Sequence, residues 1–71
     1  MVVEVIRTVV EEVEIADDFF EVHPQSEEPS YPDYYWSKYQ VVDSKAEELE
    51  AKFPNICAIN EIGTKKTIAE W

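Results

Sequence analysis

The sequence has little of what catalytic and metal sites are built from: one glycine, one cysteine and one histidine in 71 residues. A single glycine leaves no glycine-rich loop to hold a phosphate group. His23 and Cys57 are too few for a zinc site, which usually takes three or four protein ligands, and one cysteine excludes an internal disulfide. These absences predict a protein without catalytic residues, metal or cofactor.

Long apolar runs are also missing, since no window approaches the roughly 18 consecutive apolar residues of a membrane-spanning helix. The first residues, MVVEVIRT, include Glu4 and no leading basic patch, unlike a signal peptide. The lone thiol of Cys57 fits a reducing compartment. We therefore expect a soluble, cytoplasmic protein that does not bind membranes.

Basic residues are scarce: 6 Lys and Arg stand against 16 Asp and Glu, for a formal net charge of −10. The imbalance lies in one half, because residues 1–35 hold ten acids and one base, whereas residues 36–71 hold six acids and five lysines. An acidic surface repels nucleic acids and attracts basic protein surfaces. The charge therefore predicts a basic protein partner and no direct binding of nucleic acid.

The apolar content of 45% is enough for a small core. At this length we expect a single domain, 1–71, that is a marginally stable monomer or a homodimer, with a proline-rich acidic connector at about 24–33. Val and Ile crowd residues 2–15 and favour one long strand, with a helix as the alternative. Its predicted buried face holds seven residues, namely Val3, Val5, Arg7, Val9, Glu11, Val13 and Ile15.

Further elements follow from turn and cap signals. Asp17 and Asp18 suit a turn, Ser44-Lys45-Ala46-Glu47 has the form of a capping box that starts a three-turn helix, and Pro54 ends that helix. The other strands are expected at Phe19 to His23, Tyr34 to Val42, Ile56 to Ile62 and Thr67 to Trp71. Together these elements predict an α+β fold: a small, mainly antiparallel sheet of four or five strands with one α-helix packed on one face.

Acidic residues are the first candidate binding feature. Glu12 and Glu14 share one face of a strand, about 6.7 Å apart, as neighbours at i and i+2 do. With the acids around them they form a predicted partner-binding band: Glu4, Glu11, Glu12, Glu14, Asp17, Asp18, Glu21, Glu27 and Glu28. The alternative is ordinary solubilising charge.

Aromatic residues are the second candidate feature, because five fall within residues 31–39. Tyr and Trp dominate the hot spots of protein interfaces. We expect Tyr31, Tyr34 and Trp36 to be exposed anchors and Tyr35 and Tyr39 to lie inside. The alternative is that all five pack against the sheet and the connector.

In size, acidity, absence of catalytic motifs and small α+β build, the chain resembles the phage-encoded inhibitors of bacterial defence, the anti-CRISPR and anti-restriction DNA mimics. The resemblance implies a non-enzymatic inhibitor that binds the basic, nucleic-acid-binding groove of a larger effector in the cytoplasm of a bacterial host cell. The predicted acids would then stand in for phosphates. The balanced C-terminal half differs from a fully acidic mimic and favours one acidic face with aromatic anchors.

A small adaptor or assembly subunit is the alternative function, binding through Tyr31, Tyr34 and Trp36 or through an open strand edge. The two functions differ in salt dependence, since contacts between charges weaken with salt and apolar contacts persist. An enzyme is the least favoured class, because His23 and Cys57 have no partner base or ligand near them in sequence.

Overall fold

A computed structural model of the chain describes residues 1–27 and 34–71. The strands of the described part are β1 (Val2–Ile6), β2 (Val10–Glu14), β3 (Phe20–Val22), β4 (Tyr39–Val41), β5 (Ala58–Glu61) and β6 (Thr67–Glu70), and its α-helix is α1 (Ala46–Lys52). One antiparallel sheet has the order β2-β1-β5-β6, and a second pairs β3 with β4. The predicted α+β class is confirmed, and the two-stranded sheet is an addition to it.

Residues 2–15 form a hairpin, so both the single long strand and the helix alternative were wrong. At about 3.3 Å per residue, one strand of this length would span about 46 Å, whereas the longest dimension of the molecule is 36 Å. The chain reverses at residues 7–9. Arg7 holds this turn in place, since its Nε donates to Glu11 Oε1 at 3.1 Å and its Nη1 to the Pro54 carbonyl oxygen at 3.2 Å.

The assignment of faces within this hairpin was largely correct. Val3, Val5 and Ile15 are buried, and Val13 packs against the core. Val9 is 55% exposed, because it lies in the turn that the sequence did not reveal. We call the side of the four-stranded sheet that carries the buried residues its inner face and the other side its outer face.

The strands after the hairpin are all shorter than predicted, since β3, β4, β5 and β6 each cover only part of the expected range. Asp17–Phe19 form one turn of 3-10 helix where a turn was expected. The strand predicted over 34–42 is reduced to β4, because Trp36 lies beside Thr67 of β6 in a parallel bridge. The connector begins with a 3-10 helix at Pro24–Glu27, and residues 28–33 lie outside the described part.

The helix begins later than the capping motif predicted. A 3-10 turn at Asp43–Lys45 precedes α1, and no side chain caps the first turn. With seven residues α1 has about two turns, where three were expected.

The helix contributes Leu49 to a core on the inner face of the sheet, and Phe53, which follows the helix, is buried there too. The core consists of Val3, Val5, Ile15, Phe19, Phe20, Leu49, Phe53, Ile56, Ile59 and Ile68. The outer face is open, since Val2 and Val10 are 50% and 61% exposed. Within the described part no helix is long and apolar enough to cross a membrane.

Candidate protein-binding surfaces

Three carboxylates meet on the outer face at the β2 edge, and we call Glu4, Glu12 and Glu14 the acidic corner. Glu12 and Glu14 are exposed, and Glu12 lies directly opposite Glu4 of β1. Like charges in directly opposing positions of a strand pair destabilise it. The fold therefore keeps an unfavourable pair of charges at this corner.

One lysine partly neutralises the acidic corner. Lys65 Nζ lies 3.2 Å from Glu4 Oε2, and the Glu4 side chain is only 16% exposed. Lys65 follows the turn between β5 and β6 and has a φ of 63°, a left-handed conformation that costs a non-glycine residue about 1 kcal/mol. Within the described residues Glu12 and Glu14 have neither a salt bridge nor a side-chain hydrogen bond, so their charge faces solvent.

The other predicted acids are placed differently. Glu11 pairs with Arg7, Asp17 accepts from the terminal ammonium of Met1 at 2.6 Å, and Glu21 accepts from Gln40 Nε2 at 2.7 Å. Asp18 is exposed. The structure does not describe the side chain of Glu27 or any of Glu28. Two of these acids, Asp17 and Glu21, line a groove of about 460 Å³ together with Met1, Phe20, Val22 and Tyr39.

Residues 34–36 form the aromatic segment, at the β6 edge. Tyr34 is 95% exposed and Trp36 is 40% exposed, which agrees with the prediction for both. Tyr35 was expected inside and is instead 51% exposed, with its ring edge-on to Trp36 at 4.9 Å between centroids. Tyr39 is half-buried and packs against the core, as predicted. Tyr31 lies outside the described residues.

Hydroxyl groups donate to Glu61 at the end of β5 and to Glu70 at the end of β6, and one of them is the Thr64 hydroxyl, 2.7 Å from Glu61 Oε2. Tyr35 donates its hydroxyl hydrogen to Glu70, and this bond raises the pKa of Tyr35 above its usual value of 10.0. Ser37, almost fully buried, donates to Glu61 and accepts from the Tyr39 backbone N–H at 3.0 Å. Sequence reasoning missed this network, because its partners are 24 and 35 residues apart.

The acidic corner and the aromatic segment lie at opposite edges of the sheet. Strands β1, β5 and β6 separate β2 from residues 35–37, which amounts to four strand spacings or about 19 Å. The sequence predicted aromatic anchors beside an acidic rim. Around the groove at Asp17 and Glu21 the aromatic side chains next to the acids are those of Phe20 and Tyr39.

His23 and Cys57 are the two residues that the sequence offered for catalysis or metal binding. His23 Nδ1 accepts the Gln25 backbone N–H at 3.2 Å, and Cys57 is exposed just before β5, where it was expected inside an apolar strand. Among the described residues no group of three or more His, Cys, Asp or Glu side chains is arranged to hold a metal ion.

Comparisons with protein-family models, curated proteins and solved structures gave no match to this chain.

Proposed function

We propose that the protein is a non-catalytic, stoichiometric inhibitor that acts in the bacterial cytoplasm by covering a basic, nucleic-acid-binding groove of a larger defence effector. The observation that carries the proposal is the exposure of Glu12 and Glu14 on one face of an edge strand, where no cation of residues 1–27 or 34–71 forms a salt bridge with either. Two carboxylates at this spacing offer a basic groove a repeated negative charge. Binding would release ions held by the groove and would weaken as salt is added.

The distribution of bases supports the acidic corner as the contact. Of the cations near it, Arg7 is bonded to Glu11 and Lys65 to Glu4. Opposing acids at Glu4 and Glu12 cost stability. Proteins often retain such unfavourable features where function requires them, because selection acts on function once the fold is stable enough.

The aromatic segment favours a second candidate function, an adaptor that binds a partner through apolar contacts. Tyr34 and Trp36 expose large apolar surfaces and are not part of the core cluster of the described residues. Such a complex would tolerate salt, because it depends on buried apolar area rather than on charge.

One experiment separates the two functions. Immobilised protein is exposed to a bacterial lysate between about 50 mM and about 200 mM salt, with duplex DNA as competitor. The inhibitor predicts capture of nucleic-acid enzymes that salt and DNA both release. Reversing two charges, Glu12→Lys with Glu14→Lys, should abolish this capture, whereas the matched reversal Glu47→Lys with Glu50→Lys, on exposed positions of α1, should preserve it.

Partners that both reversed proteins retain equally would contradict the acidic corner as the contact. Partners that survive high salt but are lost on Trp36→Ala would favour the adaptor. Trp71→Ala is the matched control for that variant, since Trp71 is 39% exposed and Trp36 is 40% exposed.

A further inference from the structure

The backbone of β2 has a free hydrogen-bonding edge. Met1 and Ile15 exchange two backbone hydrogen bonds, of 2.8 and 2.9 Å, at the open end of the β1–β2 hairpin. In an antiparallel pair, residues that exchange such bonds alternate with residues that do not. Val10, Glu12 and Glu14 are therefore the positions of β2 whose N–H and C=O groups point away from β1.

No strand in residues 1–27 or 34–71 pairs with that side of β2. The opposite edge of the sheet is occupied, because the Thr67 N–H donates to the Tyr35 carbonyl oxygen at 2.9 Å and the Ser37 N–H to the Thr67 carbonyl oxygen at 2.8 Å. An open edge of five residues is a template for an added strand. Three donors and three acceptors of β2 are thus available to a partner.

A second copy of this chain is a poor occupant of the edge. Glu12 is the central residue of β2, so antiparallel pairing of two copies in full register places Glu12 opposite Glu12. It also places Val10 of each copy opposite Glu14 of the other. Directly opposing carboxylates destabilise a strand pair, whereas opposite charges stabilise it.

A basic strand complements the edge. Side chains of an added strand alternate between the two faces, as those of β2 do. Lysine or arginine at every second position would lie on the outer face beside Glu12 and Glu14. The intervening side chains would lie on the inner side, next to Val13, which already packs against the core.

We propose that β2 binds an extended, basic segment of a partner protein as an added antiparallel strand, with Lys or Arg at alternate positions facing Glu12 and Glu14. This inference rests on the proposed function and adds the way in which the basic partner is held. Main-chain hydrogen bonds would supply the geometry of the complex, and the two carboxylates would select a basic sequence.

Amide hydrogen exchange of the full chain, measured by NMR, tests the added strand. The probe is a short peptide in which Lys and Thr alternate, and the control peptide has the same composition with its lysines contiguous. We expect the alternating peptide to slow exchange at Val10, Glu12 and Glu14 by at least about tenfold, because their N–H groups become bonded. Unchanged exchange at all three amides would overturn the inference.

A pair of variants at one position separates the main chain from the charge. Glu12→Gln removes the carboxylate and keeps the outward N–H, whereas Glu12→Pro removes both, and an edge strand tolerates proline where the N–H faces solvent. We expect the proline variant to bind the alternating peptide about tenfold more weakly than the glutamine variant. If Glu12→Pro does not fold, the exchange measurement on the natural chain still decides.

The two proposals fail differently. Binding that weakens with salt and on Glu12→Gln, with no slowing of exchange at the β2 amides, would overturn the added strand and leave the charge contact in place. Slowed exchange that is indifferent to salt and to Glu12→Gln would support the added strand and overturn the charge contact.

Discussion

The two sides of the four-stranded sheet differ in whether their carboxylates have hydrogen-bond donors. On the β6 side of the sheet, Glu61 of β5 and Glu70 of β6 accept hydrogen bonds from Ser37 and Tyr35, and residues 35–37 continue the edge. At the β2 edge, Glu12 has no such partner within the described residues and lies opposite Glu4. One edge is closed by backbone hydrogen bonds to residues 35 and 37, whereas the other keeps its backbone and its charge available to solvent.

This difference indicates which acids belong to the fold and which are available for binding. A carboxylate that accepts a hydroxyl hydrogen inside the fold is part of the folded structure, and its removal costs stability. A carboxylate opposite another carboxylate weakens the strand pair, so its removal should increase stability. Stability measurements on the two edges therefore test the assignment of the β2 edge without any knowledge of the partner.

The largest effect is expected at the β6 edge. Ser37→Ala removes a nearly buried hydroxyl, so the Tyr39 N–H loses its side-chain acceptor and Glu61 Oε1 loses this donor, while the Thr64 hydroxyl still donates to Glu61 Oε2 at 2.7 Å. Unpaired buried polar groups cost about 1–3 kcal/mol, so we expect the free energy of unfolding to fall by about 2 kcal/mol in urea denaturation.

Ser44→Ala is the matched control for this variant. Ser44 is exposed and its side chain caps no helix, although its place in the capping motif predicted an N-cap residue. We expect its replacement to change the free energy of unfolding by less than about 0.5 kcal/mol. Equal losses for the two serine variants would contradict the closed β6 edge.

The faces of the residues in β1 and β2 were predicted correctly although the turn between them was not, and the length of the turn is the reason. The turn holds three residues, so Val3 pairs with Val13 and Val5 with Glu11, and both members of each pair have odd numbers. Side chains of paired residues lie on the same side of a sheet. Odd-numbered residues of both strands therefore lie on the inner face and even-numbered residues on the outer face, as they would in one continuous strand.

The hydroxyl network at the β6 edge could not be predicted in the same way. Tyr34 to Val42 is rich in aromatic residues and typical of one strand, but Trp36 pairs with β6 and Tyr39 with β3. Pairing over such distances depends on the whole fold and not on local propensity. Ser37 lies where the chain passes from one sheet to the other, and the residues next to it in sequence do not indicate that its hydroxyl is buried and hydrogen-bonded.

A smaller effect of the opposite sign is expected at the β2 edge. Glu12→Gln removes the charge that opposes Glu4 and keeps the size and the backbone of the residue. We expect the free energy of unfolding to rise by about 0.5 kcal/mol at neutral pH and low salt, because opposing like charges cost about 0.2–1 kcal/mol.

The same substitution, Glu12→Gln, gives a sharper test when it is made in a protein that also carries Lys65→Gln. Lys65→Gln removes the cation that lies 3.2 Å from Glu4, so the full repulsion between Glu4 and Glu12 remains. In that background Glu12→Gln should raise the free energy of unfolding by about 1 kcal/mol, and the difference between the two backgrounds measures the coupling. A loss of stability on Glu12→Gln in either background would mean that this carboxylate belongs to the fold.

The smallest expected effect is a change in folding stability that appears only at high pH and involves Tyr35 at the β6 edge. The hydrogen bond to Glu70 raises the pKa of Tyr35 in the folded protein above 10.0. The stability that this bond contributes is therefore present in full below pH 10 and is lost as the pH rises through the folded-state pKa. Tyr35→Phe should lose less stability than the natural chain when the pH is raised from neutral to above 10, and Tyr34→Phe should follow the natural chain. Parallel curves for all three proteins would show that the Tyr35 hydroxyl contributes nothing to the closure of this edge.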